Sequence, residues 1–437
     1  MPGLLLPFGG VSEGIPLDKD GEIMKILLLG SLISFEQMEL LNHGSREKAS
    51  VAPVNYETML AKGLAEHGAD VEVLSVPAVA AYPHSIYKCI PSKREIIENQ
   101  VPVQWAPYIN IQGLKQLSIK RSITNLLKQW LQVNQAVRDK AVLMYSIYPP
   151  YADPAIRLCR QYHCHISAVI TDLPEYMYSW KGASGIRGAY AKRLSRQMVS
   201  LQGQCGSYIL FTRPMAARMN IVDKPFLVSE GFCDASIYDG IPAQEKYERK
   251  TVVYGGNLSR LYGIQNLVRG FMQTDLDAEL HLYGSGEDTA FVEACTGQDP
   301  RVKYFGRVDR KTLLAALRRA HLLVINKPTG DDYSNYSFSS KILEYMASGT
   351  PLLTTKVGGM PEEYEGYLDL IEDESPEGIA RSLTAELHRS EETLNLQGTR
   401  ARQFAVSKKG YLQMTAEIYA FLLKQLPEEK QYESTSN

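Results

Sequence analysis

The sequence predicts a two-domain α/β protein on three observations. Short apolar runs alternate with longer stretches of helical periodicity, the pattern of parallel strands joined by helices. The chain has 437 residues, more than one ordinary core supports. Its apolar pattern lapses into a polar stretch from Asp234 to Lys250 and restarts at Thr251, which reads as a linker.

Residues 1–23 read as a disordered extension, or Met24 is the true start, because the run MKILLLG from Met24 is the first clear strand. The first domain, 24–235, carries strands at 25–29, 71–76, 142–145 and 166–171, with helices at 55–67 and 119–138 between them. The step from Glu66 to Asp70 ends a helix on Gly68 and enters a strand, as such connections commonly do. Strands at 207–211 and 226–229 lead towards Gly231. The long stretch 31–53 after the first strand reads as a functional loop.

A linker at 236–250 precedes the second domain, 251–410, where the alternation resumes. Strands fall at 251–254, 279–283, 302–305, 322–325 and 351–354, with helices at 264–273 and 310–319. An amphipathic helix, 411–426, and a polar tail, 427–437, end the chain. Ligands of such folds sit at the carboxyl ends of strands. Architecture alone names no reaction.

Composition removes several classes. A formal net charge of -2 argues against a wholesale nucleic-acid binder. No apolar run is long enough to span a bilayer. The apolar start, 1–6, lacks a basic segment and soon meets Glu13, Asp18 and Asp20, so it makes a poor signal peptide. A cytoplasmic protein follows. The six cysteines show no repeated spacing and read as reduced, mostly buried thiols. Cys159, His163, Cys164 and His165 are crowded and have no second pair at zinc-site spacing, which disfavours a metal there.

Three segments of the second domain carry chemistry. In Tyr254-Gly255-Gly256-Asn257-Leu258-Ser259-Arg260-Leu261-Tyr262-Gly263 a glycine pair follows a strand. Backbone N–H groups there approach a phosphate closely, and Arg260 supplies charge; a tight turn is the plain alternative. Tyr283-Gly284-Ser285-Gly286-Glu287 repeats that placement after another strand. The third runs from Asn335 to Pro351. Ser339 or Ser340 suits the N-cap of a helix over Lys341–Ser348 that stops at Gly349. Its N-terminus offers unpaired N–H donors and a positive dipole end, which suit a diphosphate. Lys341 in the first turn opposes that dipole unless an anion binds nearby, a local conflict that favours function. Glu344 is flanked by Leu343, Tyr345 and Met346, so its carboxylate meets hydroxyls or a cation in preference to bulk water.

The ordered set GGNLSRLYG, LYGSGE, FGRV, SFSSKILEYMASGTP and VGGMPE resembles the nucleotide-binding domain of glycosyltransferase family 4, closely over 251–355 and in layout over the whole chain. The resemblance implies the GT-B fold: two Rossmann-like domains facing a central cleft, with the C-terminal helix packing back on the first. It implies transfer from a nucleoside-diphosphate sugar (UDP or GDP) with retention, in polysaccharide or cell-envelope glycan synthesis. Glu344 matches the second glutamate of the family's paired motif and would bind ribose hydroxyls. Gly306 to Val308, with Arg307, match the loop whose backbone contacts the base.

Three positions depart from the family. Its first glutamate falls at Tyr336, and its phosphate-binding arginine and lysine fall at Asn257 and Tyr262. Arg260 and Lys341 restore the positive charge, since a point charge needs reach more than one fixed spacing. The donor set is therefore Gly255, Gly256, Asn257, Arg260, Gly284, Gly286, Arg307, Val308, Tyr336, Ser337, Phe338, Ser339, Ser340, Lys341 and Glu344. Arg260 and Lys341 would stabilise the departing diphosphate, with no cofactor and no obligatory metal.

In the first domain Asp172, just past a strand end, is the acceptor-side candidate, with Glu175 behind it; a turn cap before Pro174 is the plain reading. Two stretches are basic and amphipathic: Lys115, Lys120, Arg121 and Lys128 with Trp130, and Arg187, Lys192, Arg193 and Arg196 with Tyr190. Each suits a solvated helix packed on its own domain, or peripheral contact with the inner membrane face beside a lipid-linked acceptor. Binding to anionic vesicles at low salt separates the two. The rival functions are a non-catalytic GT-B subunit, kept open by Asn257, Tyr262 and Tyr336, and a sugar-nucleotide epimerase.

Overall fold

The computed structural model describes residues 23–177, 185–242, 245–330 and 332–426. The expectations for 1–22 and for the tail 427–437 lie outside the described residues, as do the side chains of Arg187 and Tyr190.

Among the described residues ten strands precede residue 230: β1 (Lys25–Gly30), β2 (Asp70–Ser75), β3 (Cys89–Ile90), β4 (Arg94–Ile97), β5 (Val101–Trp105), β6 (Tyr108–Ile109), β7 (Lys140–Tyr145), β8 (His165–Ile170), β9 (Ser207–Leu210) and β10 (Phe226–Val228). Eight of them form a sheet in the order β10-β9-β8-β7-β1-β2-β5-β4, and β3 pairs with β6 apart from it. The pairs β1–β2, β1–β7, β2–β5 and β9–β10 are parallel, whereas β4 runs antiparallel to β5. The β4–β5 turn uses left-handed Glu98 and Asn99 (φ 51° and 59°).

Six more strands follow: β11 (Lys250–Asn257), β12 (Ala278–Ser285), β13 (Val302–Gly306), β14 (Leu322–Ile325), β15 (Leu352–Thr355) and β16 (Asp369–Ile371). They form an all-parallel sheet in the order β13-β12-β11-β14-β15-β16. Counted from β11, that is the doubly wound order 3-2-1-4-5-6, whose ligand crevice lies where the order reverses, at the carboxyl ends of β11 and β14.

Strand alternation explains why this sheet is covered on both faces. Val252, Tyr254, Leu322 and Val324 pack into one buried cluster with Ile264, Phe271 and Ile379. Their neighbours Val253, Leu323 and Ile325 pack into another with Leu314, Ile342, Leu343 and Met346. Parallel strands buried on both faces read as continuous apolar runs, which is why they were visible in the sequence.

The described residues divide into two compact units, those within 1–145, 150–167 and 415–437, and those within 146–149 and 168–414. From Thr415 onward the chain belongs to the first unit; a Cβ on Gly63 would lie 2.3 Å from Thr415 Oγ1. The C-terminal helix thus returns to the first unit as expected. It ends at Leu423, three residues early.

Three expectations need correction. The stretch 31–53 is not a loop throughout, because it contains the helix Phe35–His43, whose cap Ser34 accepts from the Gln37 N–H. The following helix, Val51–Glu66, starts four residues ahead of its expected position. Pro53 falls in its first turn, where no N–H is needed. The helix expected at 119–138 spans Lys115–Val133, closed by Asn134, whose side chain donates to the Trp130 carbonyl at 2.9 Å. No helix among the described residues is long and apolar enough to cross a membrane.

Candidate functional site

The strand ends of the second unit meet the helix Lys341–Ser348 at Gly255 and Gly256. The Tyr345 hydroxyl accepts from the Gly255 N–H at 2.8 Å and donates to the Gly255 carbonyl at 3.0 Å, locking the helix to β11. Gly256 has no room for a side chain: a Cβ there would lie 1.9 Å from Lys341 Nζ. The next glycine loop packs as closely, since a Cβ on Gly284 would lie 1.8 Å from the Gly256 carbonyl oxygen. Both glycines serve close approach of backbone and cation.

Lys341 Nζ sits over two tyrosine rings, 5.2 Å from the Tyr254 centroid and 5.0 Å from that of Tyr262. Burial pushes the ammonium down to about 8, and the nearby Glu344 carboxylate opposes that shift. The helix that carries it starts at Ser340, whose side chain makes no cap bond. Among the described residues the N–H groups of Ser340 and Lys341 find no acceptor. Open amides, a dipole end and a half-desolvated cation thus converge on one point, and such a point is built for an anion.

Glu344 lies one turn further along, half-buried. Burial raises its carboxyl above the ordinary range, while Arg310 and then Lys341 pull it back. Arg310 Nη2 lies 3.5 Å from Glu344 Oε2. Arg310 was not read from the sequence, although the signal was there: like Lys341, it is a cation in a helix's first turn. The loop Gly306-Arg307-Val308 ends β13 next to that helix; Arg307 is exposed and Val308 packs against the core.

Other predicted residues fall differently. Arg260 has an exposed side chain that makes no ion pair among the described residues; its N–H donates to Glu287 at 3.4 Å. Asn257 ends β11, exposed, and Gly286 packs so tightly that a Cβ would lie 2.1 Å from the Leu258 carbonyl oxygen. Tyr336 is turned towards Arg218, whose guanidinium lies 5.9 Å from its ring, and its carbonyl accepts from Thr212 Oγ1 at 3.1 Å. Ser337 and Phe338 are buried: Ser337 Oγ accepts from Lys327 Nζ at 2.5 Å, and the Phe338 ring packs 5.2 Å from that of Tyr364. Ser339 is half-buried, and its carbonyl accepts from the Ile342 N–H.

Asp172 belongs to the second unit, two residues past β8. Its Oδ1 accepts from the Tyr333 hydroxyl at 2.7 Å. Burial raises its carboxyl, and Tyr333 and Lys327 lower it. Glu175 does not stand behind it as a second acid; it pairs with Arg218 at 2.7 Å.

The first unit holds a group the sequence did not reveal. Glu57 is fully buried beneath the end of β1. Its carboxylate accepts from the Ser31 N–H (2.9 and 3.1 Å), the Leu32 N–H (3.2 Å) and Ser31 Oγ (2.7 Å). A Cβ on Gly30 would lie 2.0 Å from Glu57 Oε2, so the glycine makes room for it. Burial raises this carboxyl to about 7 against the hydrogen bonds that lower it.

Of the remaining expectations, the first basic stretch packs through Ile119, Ile123, Leu127 and Trp130 on its own unit, with Lys120 paired to Asp153. Among the described residues no three metal-ligating side chains come together, and Cys159 and Cys164 are buried.

The doubly wound order of the second sheet, with the start of the helix Lys341–Ser348 at its crevice, is the arrangement of a Rossmann-like domain as found in the GT-B fold. Residues 249–388 match the family described as Glycosyl transferases group 1. That match is confined to the second half of the chain, and what the chain shares with the solved structures below is the GT-B fold. It is similar to N-acetyl-alpha-D-glucosaminyl L-malate synthase of Bacillus anthracis, 29% identical over 163 residues, which are 35% of this chain and 40% of that relative. The match therefore spans less than half of the curated relative's length. Sucrose-phosphate synthase from Thermosynechococcus elongatus shares the fold at a TM-score of 0.59 and 16% identity, covering 92% of this chain and 99% of the other. Anabaena HepE in complex with UDP does so at a TM-score of 0.59 and 16% identity, covering 92% and 100%.

Proposed function

We propose that this chain transfers a sugar, with retention, from a UDP- or GDP-sugar to a glycan or lipid-linked acceptor in cell-surface polysaccharide synthesis. The observation that carries the reading is the convergence of Lys341 and the open amides of Ser340 and Lys341 on the crevice of a group 1 glycosyltransferase domain. In this reading the diphosphate lies against those amides and the Lys341 ammonium, which stabilise the charge that grows on the leaving group. Lys341 thereby replaces the cation lost at Tyr262, and Tyr262 becomes its aromatic support. Glu344 accepts the ribose hydroxyls, with Arg310 keeping it charged. Gly255, Gly256, Gly284 and Gly286 hold the backbone close, and Arg307-Val308 face the base. Arg260 is an exposed charge near the loop and takes a secondary part. Asp172 accepts a hydroxyl on the acceptor side.

A panel of UDP- and GDP-sugars incubated with the protein tests the reading. Nucleoside diphosphate release marks transfer or slow hydrolysis. An epimerised donor, or binding without turnover, would replace this reading by the epimerase or the non-catalytic subunit. Glu344→Ala should weaken nucleotide binding roughly ten- to hundred-fold, the usual range for hydrogen bonds to a charged group. Unchanged affinity by calorimetry would sink the ribose assignment.

A further inference from the structure

Tyr333 lies on the short turn Asp332–Tyr336, which no motif marks. Its hydroxyl donates to Asp172 Oδ1 at 2.7 Å. Lys327 Nζ sits 4.3 Å from the ring centroid, and the Tyr176 ring meets it edge-on at 5.1 Å and 67°. Lys327 is itself tied to Ser337 Oγ at 2.5 Å. The ring is gripped by a cation and an aromatic edge, so the hydroxyl is aimed by packing. Among the described residues Asp172 Oδ2 makes no hydrogen bond.

A carboxylate anchored through one oxygen has its plane set, and the lone pairs of the other oxygen point in a fixed direction. We propose that Tyr333 is the positioning residue of Asp172, orienting it so that Oδ2 accepts a substrate hydroxyl. This rests on the reading of Asp172 as the substrate-facing carboxylate. Without the tyrosine the carboxylate rotates freely, and the hydroxyl it receives is no longer held at one angle.

The titratable groups facing Asp172 are Tyr333, Tyr262 and Lys327; those facing Tyr333 are Asp172, Tyr262, Tyr176 and Lys327. Tyr333's hydrogen bond lowers the Asp172 carboxyl, so removing the hydroxyl raises it.

Tyr333→Phe keeps the ring between Lys327 and Tyr176 and removes only the donor. The test uses the full chain with carboxyl-labelled aspartate, the Asp172 resonance being found by its loss in Asp172→Asn. Tyr333→Phe should raise the Asp172 midpoint by roughly half to one pH unit. With UDP-glucose, UDP-N-acetylglucosamine and GDP-mannose as probes, the acid limb of turnover should move the same way. kcat/KM should fall about tenfold, with UDP and GDP affinity unchanged. A wild-type midpoint in Tyr333→Phe overturns the positioning role whatever Asp172→Asn does. A shifted midpoint with full turnover in Asp172→Asn overturns the reading of Asp172 instead, and the catalytic consequence with it.

Discussion

Glu57 and Lys341 show how one physical term acts in opposite directions on acid and base. Burial disfavours charge on both, raising the Glu57 carboxyl to about 7 and lowering the Lys341 ammonium to about 8. Glu57 is held by the backbone amides of Ser31 and Leu32 and by the Ser31 hydroxyl, and among the described residues it makes no ion pair. Its pKa in the folded chain lies above its ordinary 4.5, so folding favours the protonated form. The stabilisation is complete below about pH 4.5 and is lost as pH rises through about 7. Glu57→Gln keeps the geometry: its carbonyl accepts from Ser31 and Leu32, and its amide donates to Ser31 Oγ. Wild type should therefore lose about 3 kcal/mol more than Glu57→Gln between pH 4.5 and pH 7. Urea titrations at a series of pH values measure it; parallel profiles for the two proteins would refute it.

At the scale of elements, the proposed function implies that the contact between β11 and the helix Lys341–Ser348 makes nucleotide binding depend on pH. Only the charged ammonium attracts a diphosphate, so affinity for UDP or GDP should fall as pH rises through about 8. Lys341→Met should bind more weakly at pH 7 and lack that fall. Gly256→Ala should behave alike, because its Cβ would occupy the place of Nζ, 1.9 Å away. Calorimetry at pH 7 and 9 decides, and an alkaline loss retained by Lys341→Met would assign it to another group. These two elements were legible in the sequence for physical reasons. Parallel strands buried on both faces give unbroken apolar runs, and Gly349, left-handed at φ 81°, stops the helix where a glycine was read as its end. The helix Phe35–His43 was missed because only Met38 and Leu41 of it are buried, too few to set a period. The β4–β5 hairpin was missed because its turn uses Glu98-Asn99 without glycine. Tyr333 and Asp172 are 161 residues apart and meet only through topology. Glu57 looked like any helix glutamate, since nothing local shows which face of Val51–Glu66 lies under β1.

Across the whole molecule the chain passes between its units at 145–150, 167–168 and 414–415. Shortly before the last passage Lys409 is buried against two carboxylates, 2.5 Å from Glu230 Oε1 and 2.6 Å from Glu363 Oε1. Tyr364 donates to the same Glu230 oxygen at 2.6 Å, and the Cys233 N–H donates to the Lys409 carbonyl at 2.6 Å. Burial works against the Lys409 charge, but Glu230 and Glu363 outweigh it and hold its pKa above the usual value. Lys409→Met strands Glu230 in the interior without its cation. It should cost about 3–5 kcal/mol of stability by chemical denaturation. Lys409→Met with Glu230→Gln should recover part of the loss; a loss under 1 kcal/mol in the single variant would show the pair to be dispensable.

Five of the six cysteines are buried, and Cys89, on β3, is exposed. A thiol reagent will therefore mark the native chain at one strand of the first unit, with no cysteine needing replacement. The count of reacting thiols becomes a running gauge of integrity, one in the folded chain and more wherever Cys159, Cys164, Cys205, Cys233 or Cys295 comes into reach. Because Cys233 adjoins the Lys409 pairing in the second unit and Cys159 and Cys164 belong to the first, the sites labelled would tell which unit opens first.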